Sequence, residues 1–274
     1  MTRPILSLAA CLAAVPMLAT FAMPTSASAQ DMINNLPDYT GAWVMGDLMQ
    51  RRGRDFGDKT GKKSPKAPDP QAILTKQATY TPSAAVRSKV DGAFASYLGG
   101  QKPASAPMLL RALAADNPPG SAFTRLLAAE LGSGKDAIRS KLKQGQLQSD
   151  YGSWLKSMGY SDRNLFDVHT AFMMHSWSIA NGGIRTRYPK ITFRTVRDDL
   201  VEQQDPKRME GRSNAVKQEE AQSFALFTAL LVSAWDGADK RERAVLSSGV
   251  AELGKRIGVD YRRVRLSAEG FDFK

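Results

Sequence analysis

The stretch DVHTAFMMHSWSIANGG, residues 167–183, contains both histidines of this 274-residue chain. A zinc site on a helix needs two histidines three or four residues apart, so that both imidazoles project from one face. His169 and His175 are six residues apart, and at about 100° per residue they point roughly 120° away from each other. The spacing excludes a metal ion shared by the two on this helix, and we expect neither a metal site nor a cofactor.

His175 lies on the most apolar stripe of this predicted helix, whereas His169 lies beside that stripe, at a boundary or on the surface. The stripe also carries Leu165, Val168, Phe172 and Ile179. The position of His175 predicts a neutral imidazole that is hydrogen-bonded inside the core. As the more central of the two histidines, it is also a candidate catalytic residue.

Met173, Met174 and Trp177 surround His175 in the sequence and could belong to a haem or copper pocket. Adjacent residues of a helix point about 100° apart, however, and methionine often fills irregular gaps in a core. We therefore interpret these side chains as packing groups.

Carboxylates are the remaining candidates for acid–base catalysis, as in helical muramidases, where a glutamate with a raised pKa serves as general acid. The candidates on predicted helices are Glu130 and the adjacent pair Glu219 and Glu220. They keep open the alternative that the protein hydrolyses an envelope polymer with an acidic residue in a helical cleft.

The chain is basic, with a formal net charge of +11, which favours anionic partners through long-range attraction. Two sequence regions supply candidate binding residues, because guanidinium groups pair well with carboxylates and phosphates. These candidates are Arg185, Arg187 and Lys190 after the central helix, and Arg262, Arg263 and Arg265 in the C-terminal tail. If the loop and the tail meet in space, they form one patch.

The first 29 residues predict a cleaved secretory signal. Arg3 precedes an apolar run at 5–23, and the small residues at 27–29 fit cleavage after Ala29. Cys11 follows a lipobox-like Leu-Ala-Ala, but the apolar run continues beyond it, so we do not expect lipidation. The predicted mature chain has no cysteine and no transmembrane span. We expect a periplasmic or secreted protein that meets an envelope protein or an anionic envelope polymer, and not genomic nucleic acid.

Composition and periodicity predict one all-α domain. Residues 30–79 form a predicted flexible arm and linker, because 51–70 are rich in Lys, Arg, Gly and Pro. Residues 80–274 form a predicted helical bundle of about seven helices, with apolar stripes separated by Gly, Asn and Pro signals. The two most apolar segments, 164–181 and 214–235, are expected at its centre.

Several motifs of the helical region resemble a family of exported bacterial proteins of unknown function. They are YTPSAAVR at 80–87, Tyr151 with Leu155, Trp177 with Asn181 and Gly182, and GVDYRRVRLSAEGF at 258–271. The resemblance covers about residues 80–271. It implies one exported helical domain after a flexible arm and brings no activity, cofactor or catalytic residue.

These observations favour an exported, non-enzymatic helical module that binds a protein or an anionic envelope component. The hydrolase described above is one alternative. The other is a carrier in which the Met and aromatic side chains of the bundle hold a hydrophobic ligand, and this function requires an internal cavity.

Overall fold

A computed structural model describes residues 70–184 and 189–273. The predicted signal peptide and residues 30–69 of the predicted arm lie outside the described residues. The described chain is all-α apart from one C-terminal β-hairpin. Its elements are α1 (Pro70–Gln77), α2 (Ala84–Leu98), α3 (Met108–Asp116), α4 (Ala122–Ala128), α5 (Lys135–Gln144), α6 (Gln146–Ser157), α7 (Leu165–Ala180), α8 (Pro189–Glu202), α9 (Pro206–Glu210), α10 (Asn214–Gly237), α11 (Lys240–Arg256), β1 (Val264–Ser267) and β2 (Gly270–Phe273). One 3₁₀ turn, Ala129–Leu131, follows α4.

The predicted number of about seven helices was too low, and one reason is a glycine. Apolar residues such as Ile138, Leu142 and Leu155 recur at helical spacing through 135–159 and predict one helix, bent at Gly145. Gly145 instead takes a left-handed conformation, with φ 75°, and separates α5 from α6. A side chain is strained in this conformation, so glycine allows the break.

The folded part also begins earlier than residue 80. Residues 70–77 form α1, which had been assigned to the linker, and Leu74 is only 4% exposed.

The ion pair between Arg197 and Asp167 explains how α1 and α8 are held to α7. The Arg197 Nε lies 2.5 Å from Asp167 Oδ1, and its Nη2 donates to Thr75 Oγ1 at 3.3 Å. Both charged side chains are largely buried, and the pair connects three helices.

Thr81 followed by Pro82 predicts the N-cap of α2, but the start of this helix depends on a distant glutamine. The N-cap residue is Ser83, whose own side chain makes no capping hydrogen bond. The buried amide of Gln218 accepts from the Ser83 backbone N–H at 2.8 Å and donates to its carbonyl at 2.8 Å. A side chain 135 residues away thus satisfies backbone groups that a local cap would otherwise satisfy.

The helices α7 and α10 form the centre of the domain, as the sequence predicts, and share the most extensive contact. They run in the same direction, because Phe172 packs on Phe224 and Phe227 at one end while Trp177 and Trp235 border a common space at the other. Around this pair lie α2, α4, α6, α8 and α11.

The C-terminal tail forms a β-hairpin that packs on α8. Val264 pairs with Phe273 and Ser267 with Gly270 in antiparallel register. The tail was predicted to be too short for a sheet of its own, and the bundle supplies what a lone hairpin lacks. Thr195 Oγ1 in α8 donates to the Ala268 carbonyl at the turn, at 2.8 Å.

None of the helices in the described ranges combines the length and the apolar character that a membrane crossing requires.

Candidate functional site

The helix α7 is fixed at both of its ends, on either side of His175. At its beginning, the Asn164 side chain accepts from the N–H groups of Phe166 and Asp167. At its end, the Asn181 amide donates to the Tyr261 carbonyl at 2.9 Å, and the Trp177 indole donates to the Val264 carbonyl at 3.0 Å. The C-terminal tail is therefore tied to the last turn of α7, which makes that turn a rigid wall.

An open pocket of about 460 Å³ lies beside this wall. The end of α6, the start of α8 and the end of α10 form its other sides. Most of the lining is aromatic, thioether or aliphatic, and few of its side chains are polar. The lining residues are Trp154, Met158, Met174, His175, Trp177, Ser178, Ile179, Gly183, Ile184, Pro189, Phe193, Val232, Trp235 and Asp236.

Neighbouring groups hold the aromatic rings of the pocket in place. A Cβ on Gly183 would lie 2.9 Å from Cζ2 of Trp235, so the backbone approaches this indole more closely than a side chain permits. The Arg243 guanidinium carbon lies 5.3 Å from the centre of the Trp235 ring, within cation–π range. Phe193 stacks on Tyr160 with ring centres 4.2 Å apart. The pocket walls are thus formed before any ligand is present.

His175 lies in the pocket wall and not in the dense core that its helical stripe predicts. It is half-buried, and its ring meets that of Trp154 edge-on, with centres 5.0 Å apart. The other stripe residues, such as Phe172 and Ile179, are buried as expected. Periodicity identifies the side of α7 that faces the protein interior, but it does not show that a pocket replaces a packed helix there.

Met173 and Met174, interpreted from the sequence as packing groups, have different surroundings. Met173 is 1% exposed and belongs to the core. Met174 is half-buried and lines the pocket together with Met158 from α6. The packing interpretation is therefore confirmed for Met173, whereas Met174 also faces an open space.

His169 occupies the opposite end of α7 and is half-buried, in keeping with the boundary position that the sequence predicts. Its ring stacks on Phe224 of α10, with centres 4.8 Å apart and planes 8° apart. Burial, and secondarily the charge of Arg212, lower its pKa from 6.5 to about 4. The two histidines have different neighbours, as their spacing predicts. Within the described ranges, no group of three or more His, Cys, Asp or Glu side chains could hold a metal ion.

The three candidate glutamates do not line the pocket. Glu130 is exposed and accepts a hydrogen bond from the Ser233 hydroxyl. Glu219 pairs with Lys89 at 2.5 Å, and Glu220 pairs with Arg212 at 2.9 Å. Each of the three carboxylates is thus engaged by a side chain that does not line the pocket.

A carboxyl group with a raised pKa that sequence reasoning missed is Asp91 in α2. Burial raises its pKa from 3.8 to about 6, against the opposing effect of Arg87, whose Nε lies 3.7 Å from its Oδ2. Gln148 donates a hydrogen bond to Asp91 at 3.2 Å. The one sign in the sequence was a carboxylate next to the apolar stripe of Val90 and Phe94. Asp91 lies outside the pocket lining.

The candidate basic residues are described in part. Arg185 and Arg187 lie outside the described residues. Lys190 is exposed at the start of α8, Arg262 and Arg263 are exposed in the tail, and Arg265 forms an exposed ion pair with Asp272 at 3.9 Å. The tail does contact the end of α7 and the helix α8. A single basic patch that includes the loop stays a prediction.

No protein-family model, no curated protein and no solved structure matches this chain. The resemblance to an exported family of unknown function therefore stays a prediction, and the candidate site depends on its own geometry.

Proposed function

We propose that this protein is an exported binding protein that holds one small, mostly apolar molecule in the pocket beside α7. The observation that carries the proposal is an open space of about 460 Å³ bordered by three tryptophans. Ligand pockets typically have volumes of about 300–1,000 Å³ and are lined mainly by apolar and aromatic side chains with a few polar groups. The proposal corresponds to the hydrophobic-ligand carrier among the alternatives from the sequence.

The lining also indicates the kind of molecule. Indole rings offer flat apolar surfaces on which a ring or an acyl chain can pack. Met158 and Met174 have flexible thioethers that adapt to different shapes. His175, Ser178 and Asp236 are the polar side chains among the lining residues, so a fitting ligand carries a small polar group at one end.

The apolar run and small residues of 1–29 support export, so we place ligand binding outside the cytoplasm. The hydrolase alternative gains no support from Glu130, Glu219 or Glu220, because none of them borders the pocket. Binding of a protein or an anionic polymer through the basic tail stays a separate prediction.

Fluorescence tests the proposal directly, because Trp154, Trp177 and Trp235 line the pocket and Trp43 is the fourth tryptophan of the chain. The mature protein is titrated with the neutral apolar probe N-phenyl-1-naphthylamine. We expect saturable binding with energy transfer from tryptophan to the probe. A titration without saturation contradicts a preformed pocket.

A matched pair of variants locates the probe. Ser178→Phe places a ring inside the pocket and is expected to weaken binding at least tenfold. Ser140→Phe adds the same ring at an exposed position of α5 and should bind like the unmodified protein. Circular dichroism checks that both variants are folded. Equal affinity of the two variants would overturn the assignment of the site.

A further inference from the structure

A second group of polar side chains lies at the start of α10, near His169 and apart from the pocket. Lys217 is only 8% exposed, and in the described part of the chain it has no hydrogen-bond or ion-pair partner. Its ammonium group itself lies close to the surface. Helical side chains lean toward the N-terminus of their helix, so Lys217 extends back over the first turn of α10. The stem of Lys217 is thus covered, whereas its ammonium is accessible to an anion or to water.

Arg212 brings a second positive charge to the same place. It precedes the N-cap residue Ser213, and its side chain is 22% exposed. One of its five N–H donors bonds to Glu220, with Nη1 2.9 Å from Oε2, and the described residues supply no acceptor for the others. Burial, and then the charge of Arg212, lower the pKa of Lys217. Arg212 also lowers the pKa of His169, so it lies close to both groups.

The backbone adds further donors at this end of α10. The Ser213 side chain accepts from the N–H of Val216, and the Ser213 carbonyl accepts from the N–H of Lys217. The N–H groups of Asn214 and Ala215 have no acceptor among the described residues. The start of a long helix carries a partial positive charge and favours anions.

The charges nearby do not cancel. Glu220 forms an ion pair with Arg212, and Glu219 forms an ion pair with Lys89 of α2. Among the described residues that we assign to this site, two cations and a helix N-terminus thus stand against one carboxylate. None of the lining residues of the pocket belongs to this group, so it forms a separate site.

We propose that Arg212, Lys217 and the first turn of α10 bind one phosphate group, either free or on a phosphate-bearing molecule. The ammonium of Lys217 and the unused donors of Arg212 contact its oxygens, and the first-turn N–H groups complete the site. Glu220 orients Arg212 and limits the site to a single anion. The inference is independent of the apolar pocket.

The first experiment measures binding of inorganic phosphate to the mature protein by calorimetry, with ionic strength held constant by NaCl. Lys217→Met keeps the length of the side chain and removes its charge. It should bind phosphate at least tenfold more weakly. Lys143→Met removes an exposed lysine of α5 and should retain binding. If the Lys217 and Lys143 variants respond alike, the site is disproved.

His169 provides a local reporter. In a His175→Gln background it is the one histidine left, so its imidazole resonance is read directly by NMR. Sulfate, whose charge is constant above pH 4, should raise the pKa of His169 because it offsets the nearby charge of Arg212. In Lys217→Met this increase should be smaller by at least half. An unchanged pKa with saturating sulfate contradicts the proposal.

Vesicles separate the two possible sources of the phosphate group. Phosphatidylglycerol vesicles that sediment the unmodified protein but not Lys217→Met assign a lipid headgroup to the site. Phosphate binding that requires Lys217, without such sedimentation, assigns a free or soluble phosphate. If the unmodified protein and Lys217→Met bind both inorganic phosphate and the vesicles equally, the proposed site is wrong.

Discussion

The two ends of the α7–α10 pair differ in how their aromatic side chains are used. At the N-terminal end, His169, Phe172, Phe224 and Phe227 pack on one another, with ring centres 4.6–6.1 Å apart. At the C-terminal end, the rings of Trp177 and Trp235 border an open space. The same two apolar helices thus form a closed core at one end and a cavity at the other. Stability should depend mainly on the closed end and ligand binding on the open end.

The largest effect is expected from Phe172→Ala at the closed end. Phe172 is completely buried and contacts Phe224 and Phe227, so its removal leaves a cavity and should lower the free energy of unfolding by about 3–5 kcal/mol. Met174→Ala at the open end should cost about 1 kcal/mol or less, because that side chain already borders free space. Urea unfolding measures the free energy of unfolding of both variants. Equal losses would mean that the two ends are packed alike.

The next prediction concerns the pH dependence of folding stability, to which His169 at the closed end contributes. The pKa of His169 is about 4 in the folded protein and 6.5 as an ordinary value. Between these values the unfolded chain binds a proton that the folded one does not, so folding stability is full above pH 6.5 and falls as the pH drops to 4. At about 1.4 kcal/mol per pKa unit, the loss reaches up to about 3 kcal/mol.

The comparison of the unmodified protein with His169→Gln isolates this effect. Asp91 works in the opposite direction, since its raised pKa contributes stability at low pH that is lost as the pH rises from about 4 to 6. Asp91 is present in both proteins, so its contribution cancels in the difference. Urea unfolding from pH 7 to pH 4 should show a smaller decline in the variant. Parallel curves would show that His169 protonates freely in the fold.

Substitution of two adjacent glycines at the open end should affect stability less than Phe172→Ala or the protonation of His169. Gly182 and Gly183 have φ values of 79° and 84°, so alanine at either position should cost about 1–2 kcal/mol. A Cβ at Gly182 meets nothing within 4 Å, whereas at Gly183 it meets the Trp235 ring at 2.9 Å. Gly183→Ala should therefore displace Trp235 and weaken naphthylamine binding severalfold. Gly182→Ala should keep the affinity, and equal affinity of both variants would contradict a pocket wall formed by Trp235.

Local patterns predicted the secondary structure well where neighbours in the chain control it. Asn181 and Gly182 predict a left-handed end of α7, and Gly182 has a φ of 79° there. The beginning of α2 was predicted two residues too early, because the side chain that completes it is Gln218. Local rules cannot anticipate a partner so far along the chain.

The site was less predictable than the fold. His175 was recognised as the residue to examine, but its stripe predicted a core position. The sequence contained no sign that side chains from three other helices would meet at one pocket. These side chains are Trp154, Phe193 and Trp235. Lys217 looked like one more basic residue on the polar half of α10. Its burial appears only when other parts of the chain pack around α10.

The sequence by itself determined that the described chain is helical, that α7 and α10 are its central helices, and that its two histidines cannot share a helical metal site. Each of these follows from residue spacing, which the 3.6-residue period of a helix converts into direction. The tertiary structure decided where packing is complete and where it leaves a pocket, and which charges lack a partner. These properties depend on distances between side chains that are far apart in the chain, and those distances arise only when the helices pack.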